Sequence, residues 1–376
     1  MRLTVHKKLL QDNLKDVASL VTSKAPLSYL YNLLLRARNG FLEIMATNLD
    51  FTVQSRTHAI IEEEGEALID AKVFAKMVKG WPHEEITIEK QGETLVISTK
   101  SFSVTCASEP TEEYPLIVMD TLKSTDKEDI NIEITEPSIS LGEMLTKTSF
   151  ATSTDVTKPM LNGVFFEAAG EEIKMIATDG TRLAYCSHKA PEVDKIGTII
   201  IPSEACKYLI KIANNKRRLL KITFNKKQAL FEFNDVSLLT RLIEENYVNY
   251  AGVIPKNSDK TLCLDKEYLV RTLRNMSLVE QVMPCLKMHL SQDIINLSME
   301  SPESNTNIKQ QIEAQYEGEE IVIKCHPKLL LEGIKHMKGE VTFRFKDNVT
   351  AIIIRPSVQQ ENEEYFYLLM PQRPDF

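Results

Sequence analysis

Glycine is scarce in this 376-residue chain, at 13, and none of the 13 falls in a Gly-x-Gly-x-x-Gly, a Gly-x-x-x-x-Gly-Lys-Ser/Thr or a Gly-x-Ser-x-Gly. Phosphate cradles and strained nucleophile elbows are therefore excluded as local motifs. Six cysteines (Cys106, Cys186, Cys206, Cys263, Cys285, Cys325) stand singly with no Cys-x-x-Cys, which excludes a disulfide framework and points to a reducing, cytoplasmic compartment. The seven histidines (His6, His58, His83, His188, His289, His326, His336) never pair at metal-ligand spacing, and no metal or cofactor is expected. No apolar run approaches the ~18 residues of a membrane span, and the first residues lack the continuous apolar stretch of an export signal. The acidic runs Glu62-Glu-Glu and Glu361-Asn-Glu-Glu read as solvated hairpin tips rather than a catalytic pair. A site assembled from distant positions stays open.

What the chain does have is a threefold internal repeat: an amphipathic helix, a hairpin, a short β run entering a basic helix, then a strand pair. The β-to-helix landmark recurs at 66–79, 198–211 and 321–335. Hairpin candidates precede it at Leu33 to Val53, Gly163 to Ser187 and Leu286 to Tyr316. Period-two strand pairs follow it, beginning at Ile86 and Leu95, Lys221 and Ala229, Val341 and Ala351. Helices are expected over 4–21, 71–80, 138–150, 203–218, 264–279 and 326–338. The polar stretches Thr121 to Asp129 and Pro255 to Lys260 mark boundaries, giving three α+β domains at 1–125, 126–255 and 256–376. Ser301 to Asn307 reads as a long hairpin loop.

The formal charge is −8, which at first argues against nucleic acid, but the six predicted helices together carry +11 and the remainder −19. If those helices share a face, it is cationic on an acidic body and attracts a polyanion on one side only. Lysine-rich helix faces that are merely solvated are the competing reading.

One octapeptide stands out, Ala177-Thr-Asp-Gly-Thr-Arg-Leu-Ala184. Asp179-Gly180 between apolar strands is a hairpin signal of type I′, which needs two positive φ angles. As a whole, the octapeptide resembles the Ala-Thr-Asp-Gly-x-Arg-Leu-Ala signature of the bacterial β sliding clamp family, the processivity subunit of the replicative DNA polymerase III. The similarity extends to Leu161-Asn-Gly-Val-Phe-Phe-Glu, to Leu242 through Pro255 and to Tyr367-Leu-Leu-Met-Pro-Gln-Arg. It implies three domains, each with two helices on curved antiparallel sheet, closing head to tail as a homodimer into a ring around double-stranded DNA without sequence preference. It also implies a non-enzymatic tether for the polymerase catalytic subunit, the clamp loader and other clamp-motif proteins. A scaffold ring of the same fold without DNA is the alternative.

The resemblance places Lys24, Lys72, Lys79 and Lys211 facing DNA. Helix position and charge add Lys76, Lys207, Arg271, Arg274, Lys335 and Lys338. It further implies a crevice for short linear peptides, with Leu161, Thr178, Gly180, Arg182, Leu183, Val253, Val349, Leu368, Leu369, Met370, Pro371 and Arg373 at matching positions. Within the same crevice, Thr181 stands where a His is common, Val248 where a Pro is common and Gln372 where an apolar residue is common. Gly252 stands where an Arg can sit, and Pro374-Asp-Phe376 runs past the usual end.

Overall fold

The computed structural model describes residues 1–21, 28–112, 114–115, 130–134, 141–213, 220–276, 284–301 and 306–373. By contacts the chain separates into two units, Met1–Ser138 with Lys211–Leu242, and Ile139–Ile210 with Ile243–Phe376. Among the described residues six α-helices are formed: α1 (Lys7–Ala18), α2 (Ala71–Gly80), α3 (Leu141–Thr148), α4 (Ser203–Ala213), α5 (Lys266–Met276) and α6 (Pro327–Ile334).

All pairing among the described strands is antiparallel. In the first unit, one sheet runs in the order Ile60–Glu63, Arg2–His6, Glu85–Gln91, Thr94–Ser98, Ser103–Ala107. The other has eight strands: Ile130–Ile134, Leu220–Phe224, Gln228–Phe233, Val236–Arg241, Phe51–His58, Phe41–Thr47, Asn32–Arg38 and Gly65–Asp70. In the second unit, seven strands run Gly163–Thr178, Arg182–Pro202, Glu363–Leu369, Ile352–Pro356, Glu340–Phe345, Lys260–Asp265, Gln315–Glu317. Four more run Thr306–Glu313, Ile294–Ser301, Leu286–Ser291, Ile321–Cys325. Strand pairing crosses both expected boundaries. Val236–Arg241 pairs with Phe51–His58, and Arg182–Pro202 pairs with Glu363–Leu369.

Local chemistry explains the helix starts. Asp70 accepts a hydrogen bond from the Val73 amide at 2.7 Å to begin α2, and Asp265 accepts one from Tyr268 at 2.7 Å to begin α5. Burial of Ala71, Phe74 and Val78 turns one stripe of α2 inward, and Leu10, Leu14 and Val17 do the same for α1. Gln11 of α1 donates to the Val78 carbonyl at 3.1 Å, joining the two helices at a carbonyl in the last turn of α2 that also accepts the Trp81 amide.

Several expectations are corrected. The helix predicted from residue 4 begins at Lys7, because Arg2–His6 alternates exposed and buried residues and enters a sheet, with Leu3 and Val5 inside. The predicted helix over 326–338 ends at Ile334, leaving Lys335 as its C-cap and Lys338 beyond it. The hairpin expected to carry a seven-residue loop at Ser301 to Asn307 is tighter, since Ser301 pairs with Thr306. Glu363 is no solvated tip: its side chain is 5% exposed and takes Lys147 Nζ at 2.6 Å on both oxygens.

Gly333 lies inside α6, where glycine is costly, because the Tyr367 ring fills the space beside it; an added Cβ would lie 2.3 Å from ring carbons. The Tyr367 hydroxyl donates to the Leu329 carbonyl at 2.9 Å and fixes the ring there. Gly333→Ala should therefore destabilise the protein by about 1–3 kcal/mol through overpacking. Chemical denaturation checks this, and a neutral or stabilising result would mean that the ring moves aside.

Candidate functional site

The octapeptide hairpin is held by its own side chains. Thr178 Oγ1 donates to the Arg182 carbonyl at 2.5 Å and accepts from the Gly180 amide at 3.1 Å. Asp179 Oδ1 accepts from the Thr181 amide at 2.9 Å, the Thr181 hydroxyl at 2.7 Å and the Arg182 amide at 3.1 Å. Only Gly180 takes a positive φ, +93°, so this is a longer, side-chain-capped turn and not the expected type I′. The two-residue turn with both angles positive lies elsewhere, at Asn39-Gly40.

The turn is docked to the last strand. Arg182 pairs with Leu369 and Leu183 with Leu368, and the Met370 amide donates to the Thr181 carbonyl at 2.9 Å. Between them opens a pocket of about 240 Å³, of a size for one or two apolar side chains. Its walls bring together ten of the expected residues: Leu161, Thr178, Gly180, Thr181, Arg182, Leu183, Val248, Val253, Leu368 and Met370. Asn249, Tyr250 and Ala351 complete the lining. Tyr250 begins a short 3₁₀ turn, Tyr250–Val253, which also sets Val253 at the rim.

Behind the walls, Leu183 and Leu368 share a core with Ile176, Tyr185 and Phe366, against which Phe165, Tyr247 and Tyr250 pack. Phe165 stacks on Tyr247 with centroids 4.8 Å apart, and Tyr185 on Phe366 at 4.6 Å. Burial pushes the Tyr185 phenol up to about 12 and that of Tyr247 higher, so both stay neutral; Tyr247 donates to the Ile176 carbonyl at 3.3 Å.

Five expected residues lie outside the walls. Leu369 is fully buried on the opposite face of its strand, as alternation demands once Leu368 and Met370 face the pocket. Gln372 is turned away: its amide donates to the Lys324 carbonyl at 2.8 Å and its Nε2 to the Pro284 carbonyl at 3.2 Å. Pro371 and Arg373 flank that anchor, and Val349 sits exposed in a turn capped by Asp347. Pro374–Phe376 lie outside the described residues.

The basic candidates are exposed wherever they are described. Lys72, Lys76 and Lys79 form a stripe at i, i+4, i+7 on α2, Lys207 and Lys211 lie one turn apart on α4, and Arg271 and Arg274 on α5. Lys335 and Lys338 are exposed at and beyond the end of α6. Lys207 is ion-paired with Glu204 of its own helix. Lys24 lies outside the described residues.

Family models for the DNA polymerase III beta subunit match the chain end to end, the N-terminal domain at 1–120, the central domain at 125–249 and the C-terminal domain at 251–373. The chain belongs to this family. The "Beta sliding clamp" of Bacillus subtilis (strain 168) is 26% identical over 388 residues, covering 99% of this chain and all of that one. That of Escherichia coli (strain K12) is 23% identical over 378 residues, with the same coverage. Among solved structures, the DNA polymerase sliding clamp of Bacillus subtilis superposes with a TM-score of 0.89 at 25% identity, covering 100% of both chains. That of Pseudomonas aeruginosa reaches 0.90 at 21% identity with the same coverage.

The same turn recurs in the first unit. Thr47 Oγ1 donates to the Phe51 carbonyl and accepts from the Leu49 amide, while Asn48 Oδ1 accepts from the Asp50 and Phe51 amides. The Arg241 amide donates to the Asp50 carbonyl, and Thr240 pairs with Phe51. Thr47 to Thr52 is thus the counterpart of Thr178 to Leu183, with Leu49 at φ +78° in the place of Gly180, Phe51 in that of Arg182 and Thr52 in that of Leu183.

Proposed function

We propose that this chain is a non-enzymatic DNA sliding clamp with three domains, at 1–125, 126–255 and 256–376. Two copies close head to tail around duplex DNA and hold the replicative polymerase and other partners by short peptides seated in the pocket. The observation that carries this reading is the end-to-end match to sliding clamps over 99% of the chain. Basic helix stripes on a protein of net charge −8 support it, because a cationic surface confined to the helices attracts phosphates without wrapping DNA elsewhere.

Two sheet edges support the dimer. Ser103–Ala107 carries no charge along its length, and Thr306–Glu313 offers eight residues of edge whose two charges, Lys309 and Glu313, are opposite in sign. Open, weakly charged edges of this kind pair readily with another chain. The edge at Ile60–Glu63 is, by contrast, guarded by Glu62 and Glu63. Joining one such edge to the other is a heterologous contact that closes after two copies.

Loaded protein should remain on nicked circular DNA and leave when the circle is cut, and sedimentation at micromolar concentration should give twice the chain's mass. Retention after linearisation would replace encirclement with ordinary binding. A dimer that never stays on the circle would favour a scaffold without DNA.

A further inference from the structure

We propose that Glu332 sets the charge preference of the pocket: as the second carboxylate on Arg182, beside Asp179, it makes the pocket accept an uncharged apolar side chain and reject an acidic one. This preference rests on the pocket being a peptide site, as proposed above, and assigns its selectivity to a residue outside its walls.

Arg182 is the one charged residue among those lining the pocket. A guanidinium at that position is the natural anchor for a carboxylate, yet its nitrogens are already engaged. Nε donates to Asp179 Oδ2 at 2.9 Å, one terminal nitrogen to Glu332 and the other to the Phe150 carbonyl at 2.8 Å. The Arg182 side chain is only 9% exposed, so what borders the pocket is chiefly its aliphatic stem. Two carboxylates around one guanidinium leave an excess of negative charge at the wall, which repels an incoming acid.

The two carboxylates differ in what else they do. Asp179 also caps the 178–182 turn through three further hydrogen bonds, so removing it would dismantle the hairpin. Glu332 reaches Arg182 from α6, 150 residues away in sequence. At the counterpart joint, Phe51 holds the same position and is 3% exposed, so an uncharged side chain fills that place there. The Arg182 head is held besides by the Phe150 ring, 5.7 Å from its guanidinium carbon, and that ring stacks on His336 at 4.8 Å. Replacing Glu332 therefore leaves Arg182 in place, paired with Asp179 alone, and removes the excess negative charge at the wall.

The test is fluorescence anisotropy on the full-length protein with two labelled probes, Gln-Leu-Ser-Leu-Phe and Gln-Leu-Ser-Glu-Phe. The parent should prefer the neutral probe. Glu332→Gln should narrow that preference by about five- to tenfold, mainly by strengthening the acidic probe, and the gain should vanish near ~1 M salt. Glu332→Asp should restore the parental ratio. Equal weakening of both probes by Glu332→Gln, or an unchanged ratio, overturns the assignment. If Glu332→Gln proves unfolded by thermal melt, the ratio for Glu332→Asp decides, and a changed ratio there counts against it. Failure of the parent to bind either probe removes the peptide reading itself, an outcome distinct from a failure of Glu332.

Discussion

Reversing Lys72, Lys79 and Lys211 to glutamate should shorten the residence of the loaded protein on nicked circular DNA by more than about tenfold at ~0.15 M salt, without loss of fold or dimer. All three side chains are exposed on α2 and α4, and each reversal changes the local charge by two. A protein that attracts phosphates across a layer of water relies on the summed field rather than on individual contacts, so three reversals turn attraction into repulsion. The cost to folding is small. Lys79 and Lys211 sit in the last turns of their helices, where a cation complements the dipole and an anion costs about 0.3–1 kcal/mol. Lys72 lies in the first turn of α2, where glutamate is favourable. Retention measured against salt, beside a thermal melt and a sedimentation run, checks the result. Parental retention by a folded triple variant would remove these residues from the DNA surface.

The repeat was legible because each unit announces its second helix with the same β-to-helix transition, and the structure places strand then helix at Gly65–Asp70 and α2, Arg182–Pro202 and α4, and Ile321–Cys325 and α6. The opening strands were not. Arg2–His6 and Lys260–Asp265 are short and run directly into helices whose apolar residues continue the pattern, so periodicity alone extended the helices backward. Long-range polar pairs carry no local signal either: nothing near Glu363 announces Lys147, 216 residues earlier. In the pocket, the residues carried by the octapeptide and the last strand were readable as a motif. Asn249, Tyr250 and Ala351 were not, since they enter from an irregular turn and a loop. Leu369 and Gln372 show the converse, motif residues whose side chains leave the pocket because of strand alternation and a backbone anchor. The strongest unused signal was Ala46-Thr-Asn-Leu-Asp-Phe51, whose first two residues match Ala177-Thr178 and whose hydrogen bonds reproduce the same turn.

Met370 offers the cleanest test of the pocket. It lines the pocket yet is 43% exposed, whereas Leu183 and Leu368 are 3% exposed and belong to the core. Leu183→Ala should thus cost about 2–5 kcal/mol of stability as well as binding, which confounds it. Met370→Ala leaves the backbone bond to Thr181 intact and removes only the side chain from the wall. A peptide that buries two large apolar side chains gains ~1.5–3 kcal/mol from each and binds at micromolar affinity, on the order of −7 to −8 kcal/mol. Losing much of one contact surface should weaken a labelled Gln-Leu-x-Leu-Phe peptide by about tenfold or more. Deleting Met370 to Phe376 should abolish binding while the strand ending at Leu369 keeps its pairing with Arg182. Removing only Pro374 to Phe376 separates the wall from the tail: tighter binding means that these three residues compete for the pocket, and unchanged binding means that they do not. Full affinity in the Met370 to Phe376 deletion would move the partner site elsewhere.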